Sequence, residues 1–392
     1  MVAESTPNEI LIKFGSKSAD FLNMKEDSGS GGGQLEITGT DWKSEAGPLR
    51  ALLNDKTISE IMVNRWDKIY IERNGKIVDA EQKFANAEAL LRFVRALAVG
   101  VGRELNRRYP TLDARLPDGS RLNLVVPPIA LDGPSITIRK SNDSVMNYQE
   151  LINRGALEGK SMFFLNRAVY ARQNILISGG TGSGKTTLLN VLSSFINSHE
   201  RVVTIEDTAE LKINVKNLVR METKPAFGSE PAITMEGLVK NALRMRPDRI
   251  VIGECRGAEA MDMLTAMNTG HEGSLTTIHA NTAAGALRRL ESMVLRSGID
   301  APLSMIQMDI GNTINFVVQA NRSVDGKRRV MEILEVCGRD ADGYITRDIF
   351  KFDAEKGLVS TGAVPDFVQK NVDPNLALTA EIFDPEKKVR LT

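Results

Sequence analysis

Gly179-Gly180-Thr181-Gly182-Ser183-Gly184-Lys185-Thr186-Thr187 decides how this chain folds and what it binds. The run fits G-x-x-x-x-G-K-[ST], the phosphate-binding P-loop pattern. Asn174-Ile175-Leu176-Ile177-Ser178 before it is a short apolar run of the buried-strand type. Leu188-Leu189-Asn190-Val191-Leu192 after it reads as the first turns of a helix. The glycines let the backbone wrap, so that N–H groups from Gly180, Thr181, Gly182, Ser183 and Gly184 through Lys185, Thr186 and Thr187 face phosphate oxygens at a helix N-terminus. Lys185 would reach the β- and γ-phosphates, and the Thr186 hydroxyl would hold Mg²⁺. The expected ligand is a nucleoside triphosphate, ATP, with its magnesium.

Alternating apolar strand-like runs and helices extend from the P-loop to about residue 320, which predicts a mostly parallel sheet with helices on both faces. Ligands of such sheets bind at the carboxyl ends of the strands. Three further runs each end there in an ionisable group. Arg201-Val202-Val203-Thr204-Ile205 leads to Glu206-Asp207, Arg249-Ile250-Val251-Ile252-Gly253 to Glu254, and Ser274-Leu275-Thr276-Thr277-Ile278 to His279. These types suit hydrolysis of a γ-phosphate, which needs a metal, a carboxylate to position or deprotonate water, and donors on the equatorial oxygens. Glu206 is read as the general base and Glu254 as the metal-linked carboxylate, roles that spacing alone leaves exchangeable. Gly253 stands where many P-loop proteins place their Mg²⁺-holding Asp. His279 would contact the γ-phosphate, whereas His271 after Gly270 also fits a helix C-cap. Arg121, Arg139, Arg244 and Arg246 are candidates for the positive charge that such hydrolysis draws from outside the loop.

The rest of the chain narrows the class. At 392 residues it has room for two or three domains and a large core. Lys plus Arg and Asp plus Glu both number 50, and aromatic residues make up only 5%, so neither a nucleic-acid channel nor a charged membrane surface is expected. Cys255 and Cys337 suggest no disulfide framework, and three histidines make a structural zinc site improbable. No run of 18 apolar residues is present, so the expectation is a cytoplasmic protein whose membrane contact is peripheral. Residues 1–34 end in a Ser28-Gly29-Ser30-Gly31-Gly32-Gly33 linker composition. Residues 35–140 read as a small α+β domain: a helix-like Pro48-Leu49-Arg50-Ala51-Leu52-Leu53, an Asn74-Gly75 hairpin, a helix over 87–99 and strands ending at Arg139. Residues 141–154 are polar and read as a linker. The unit 155–392 carries the P-loop and ends in antiparallel strands over 330–336 and 344–352.

Four blocks in order resemble the type II/IV secretion ATPase superfamily: the P-loop, the acidic box Thr204-Ile205-Glu206-Asp207, the strand ending in Glu254, and a histidine box from Gly270-His271 to His279. The stretches Asn241-Ala242-Leu243-Arg244-Met245-Arg246-Pro247-Asp248-Arg249, Ala266-Met267-Asn268-Thr269-Gly270-His271-Glu272-Gly273-Ser274 and Thr277-Ile278-His279-Ala280-Asn281 are similar to its CpaF branch, which drives Tad (Flp) pilus assembly. The likeness covers residues from about 45 to 350. It implies a RecA-like ATPase domain preceded by a small α+β domain of PAS-like shape, and a homo-hexameric ring working against inner-membrane pilus platform proteins. It also implies that arginines of the first domain reach the phosphates, and the matching positions here are Arg121 and Arg139. Residues 1–34 depart from the helical bundle with which many members begin.

Overall fold

The computed structural model describes residues 42, 45–73, 75–141, 146–226, 230–323, 325–370 and 376–387. The N-terminal segment 1–34 lies outside the described residues. The chain divides after residue 143 into two compact units.

In the first unit, helix α1 (Leu49–Asn54) precedes strands β1 (Ile58–Arg65), β2 (Lys68–Arg73) and β3 (Lys76–Asp79). Helix α2 (Ala87–Gly100) follows, then β4 (Thr111–Arg115), β5 (Arg121–Val125) and β6 (Ser135–Arg139). The strands form one antiparallel sheet in the order β3-β2-β1-β6-β5-β4. Alternating residues such as Leu122, Leu124, Ile136 and Ile138 are buried, the pattern of a sheet with one covered face. Asn86 starts α2 by accepting the Ala89 N–H, and Leu90, Phe93, Val94 and Leu97 close over that face.

The second unit begins with α3 (Tyr148–Asn153) and α4 (Gly159–Tyr170). It continues through β7 (Ile175–Gly179), α5 (Lys185–Ser193), β8 (Arg201–Glu206), β9 (Asn217–Glu222), α6 (Met235–Ala242), β10 (Arg249–Cys255), α7 (Glu259–Asn268) and β11 (Leu275–Ile278). Next come α8 (Ala283–Arg296), α9 (Leu303–Thr313), β12 (Phe316–Arg322), β13 (Arg328–Arg339), β14 (Tyr344–Asp353), β15 (Gly357–Ser360) and α10 (Asp366–Lys370). Its nine strands run in the order β15-β14-β13-β12-β7-β11-β10-β8-β9. The six from β12 to β9 are parallel, and β13 to β15 add antiparallel pairs. On β7, Ile175 and Ile177 enter one core with α4 and α5, while Leu176 enters the other with α6, α7, α8 and α9. The fold is thus a RecA-like α/β unit preceded by a small α+β unit.

Three details differ from the sequence expectation. Residues 148–153, expected within a linker, form α3. The Asn147 side chain accepts from Glu150 N, and Leu151 is buried in the second unit's core. The C-terminal strands extend the main sheet itself through the pairing of β13 with β12, and Phe350 and Phe383 pack on Phe164 with ring centroids 5.5 Å and 5.7 Å away. Strand β9 pairs parallel to β8 with no helix in the connection 207–216. At the sheet edge opposite the P-loop, Arg249 is fully buried. Its Nε and Nη2 donate to the Glu200 carboxylate at 2.7 Å and 3.0 Å, and Nη1 donates to Gly273 O at 3.1 Å. A buried guanidinium persists only with such full pairing.

Candidate active site

The P-loop leaves the wholly buried β7 and turns into α5 through Gly184, which sits at φ +96° as the helix N-cap. A side chain there would be strained in the left-handed region. Lys185, almost fully buried, donates from Nζ to Gly180 O at 2.9 Å, and Nζ lies 3.4 Å from His279 Nδ1. Since a lysine can only donate, Nδ1 is the accepting nitrogen and the imidazole proton belongs on Nε2. Burial, with the nearby charges of Lys185, Arg256 and Arg289, outweighs Glu254 and holds the His279 pKa below its ordinary value. His279 is therefore neutral at neutral pH.

The two glutamates occupy different environments. Glu206 ends β8 and is 3% exposed. Its Oε1 accepts from Glu210 N at 2.8 Å and Leu211 N at 2.9 Å, and Oε2 has no hydrogen-bond partner among the described residues. Burial raises its pKa to about 6, against the lowering effect of those two N–H groups. For Glu254, burial acts upward as well, but the hydrogen bond and charge of Arg256, with His279 and Lys185, hold the carboxyl below its usual range. Arg256 joins the acidic elements, donating from Nη2 to Glu254 Oε2 at 2.8 Å and from Nη1 to Asp207 Oδ2 at 2.9 Å. His279 Nε2 comes within 3.0 Å of Glu254 Oε1, off the line of a good hydrogen bond, so this oxygen stays unsatisfied.

Gly253 has a steric reason. A Cβ built there would stand 3.0 Å from Glu206 Cγ, so the Glu206 side chain occupies the space that an Asp at 253 would need. Gly253→Val is expected to displace Glu206 and lower ATP turnover by about tenfold or more, with overpacking costing ~1–3 kcal/mol. ATPase assays and thermal unfolding check this, and an unaltered rate would refute the steric account.

Within the second unit, then, Lys185, Glu206, Glu254 and His279 gather at the carboxyl ends of β7, β8, β10 and β11. His271 is set apart from them: its Nδ1 bonds Ala266 O at 3.2 Å and finishes α7. Arg244 and Arg246 precede β10, at the sheet edge away from the P-loop. Arg121 and Arg139 belong to the first unit, where β5–β6 pairing sets them directly opposite each other. Arg256 was not foreseen, because its two partners lie on different strands and only the fold makes it a bridge. Ser183 Oγ and Glu254 Oε1 are buried oxygens without a hydrogen-bond partner among the described residues, which suits a phosphate and its metal at this loop.

This fold and these residues define a P-loop ATP hydrolase. The family model for type II/IV secretion system proteins matches residues 43–337, and the chain belongs to that family. It is 36% identical over 298 residues to the conjugal transfer protein TrbB of Rhizobium radiobacter, a match that covers 75% of this chain and 88% of that protein. It is 44% identical over 237 residues to an uncharacterized protein of Methanocaldococcus jannaschii, covering 58% of this chain but only 33% of that longer one. The ATPase DotB of Legionella pneumophila shares the fold, with a TM-score of 0.53, 20% identity and 83% of each chain covered.

Proposed function

We propose that the protein is the ATP-driven motor of a Tad (Flp)-type pilus machine, a homo-hexameric ring at the cytoplasmic face of the inner membrane acting on platform proteins. The observation that carries the motor reading is the meeting of Lys185, Glu206, Glu254 and His279 at one P-loop in a member of the secretion family. The pilus assignment rests on the CpaF-like stretches around Arg244 and His271. In this reading Lys185 holds the β- and γ-phosphates, while Glu206 takes the proton of the attacking water and His279 donates to the γ-phosphate. Thr186 and Glu254 would hold Mg²⁺, which would supply neutralisation of phosphate charge. Arg256 keeps Glu254 oriented. Among the described residues no helix is long and apolar enough to cross a membrane, which fits a push delivered through partners.

Deleting the gene and imaging the cell surface tests the assignment, with loss of pili expected. A second reading, a type IV secretion motor moving protein or DNA, is favoured by the conjugal transfer relative. Intact pili with lost substrate transfer would replace the first reading by the second.

Arg121 and Arg139 are proposed to complete a neighbour's site. Arg139→Ala and Lys185→Ala rings should each be inactive. Mixed at equal amounts before assembly, they should recover about a quarter of the wild-type rate, the share of interfaces with both groups intact. No recovery would remove the trans contribution.

A further inference from the structure

The hydrolytic residues lie to one side of the P-loop, on β11, β10 and β8, and the strand on its other flank has been given no role. That strand, β12, runs very close to the loop: a Cβ on Gly179 would stand 2.2 Å from Ala320 O. Contact this tight fixes the β12–β13 hairpin against the loop. The hairpin carries a concentrated positive charge. Arg322 and Arg328 are directly paired across it, and Lys327 adjoins them. Like charges directly opposite on a sheet are destabilising. The carboxylate of Asp325 is turned to Arg329, which holds both of its oxygens, at 3.0 Å and 2.7 Å.

Arg328 is placed to use this charge. Its side chain runs along the P-loop, with Cδ 3.5 Å from where a Gly184 Cβ would sit. The residue is exposed, and its guanidinium makes no hydrogen bond or ion pair among the described residues. Gly184 caps the helix on which the loop's N–H groups cradle the α- and β-phosphates. His279 meets Lys185 from the opposite flank, after β11, where the P-loop reading places the γ-phosphate.

We propose that Arg328 is a nucleotide-binding residue that contacts the proximal part of the nucleotide, the α- or β-phosphate, and is retained by the nucleoside diphosphate product. The proposal rests on the P-loop site described above and adds a binding role that neither the loop pattern nor the acidic and histidine boxes supply. A contact made equally before, during and after hydrolysis lowers KM without raising kcat.

The test compares wild type, Arg328→Ala, Arg328→Lys and Lys185→Ala in the full-length chain. The readouts are steady-state ATPase kinetics and binding of a fluorescent ADP analogue, with inorganic pyrophosphate and AMP as competitors. Arg328→Ala should weaken ADP binding and raise the KM for ATP by about tenfold each, as expected for a lost charge-assisted hydrogen bond, and kcat should stay within about twofold. Arg328→Lys should recover part of the affinity. Weakened competition by AMP as well as ADP assigns the α-phosphate. Weakened competition by pyrophosphate and ADP with AMP unchanged assigns the β-phosphate. Unchanged ADP affinity in Arg328→Ala would overturn the proposal, as would a fall in kcat with KM intact. If wild type itself bound no ADP, the nucleotide site as a whole would fail, an outcome distinct from failure of Arg328 alone.

Discussion

Lys185→Ala should abolish ATP hydrolysis, with turnover falling by at least about 10²–10³-fold, the range for losing one preorganised donor at a developing charge. The side chain is almost fully buried at the start of α5, and its charge acts on the nearby Glu254 carboxyl. Its mapped neighbours are the Gly180 carbonyl and the neutral His279 ring. An ammonium at this place in a P-loop is positioned for the β- and γ-phosphates. Truncation removes that charge from both the bound substrate and the transition state, so affinity and rate fall together. The substituted side chain starts α5 and needs no special backbone, so helix content and melting temperature should stay near wild type. Coupled phosphate-release assays and circular dichroism decide the matter. A folded variant with wild-type turnover would dismiss the P-loop lysine role.

Glu206→Gln separates binding from chemistry. Glutamine keeps an acceptor for the Glu210 and Leu211 N–H groups and fills the same space over Gly253, but it cannot take a proton. Turnover should fall by about 10²–10⁴-fold, the usual worth of a positioned general base, with ATP binding within a few-fold of wild type. Glu206→Ala should likewise bind without turnover, at an added stability cost from two orphaned N–H groups. The pH dependence follows from the pKa of about 6. The base works only when ionised, so activity is full well above pH 6 and half lost at about pH 6. By pH 5 about a tenth remains. Its sign is an acid limb, and that limb should vanish from the residual activity of Glu206→Gln. A Glu206→Gln enzyme of wild-type rate would transfer the base to another group.

Much of this was legible in the chain, for definable reasons. The P-loop and the strands ending in Glu206, Glu254 and His279 are local patterns, and parallel strands deliver their last residues to one edge by construction. Glu206 and Glu254 differ through things the sequence does not display. One is desolvated and held by two N–H groups, whereas the other is held by Arg256. Residues 148–153 read as polar because only Leu151 and Ile152 turn toward the core, too few to show a helical period. Strand β9 lies at the edge of the sheet with no residue fully buried, so it lacks the apolar run that marks its neighbours.

The close fit of Gly253 under Glu206 makes two positions, distant along the chain, a single heritable unit. While residue 206 carries a long acidic side chain, any side chain at residue 253 obliges it to give way. Once residue 206 is shortened, the vacated space admits a carboxylate from the neighbouring strand. A change at either residue is therefore felt at the other, across two neighbouring strands of one sheet.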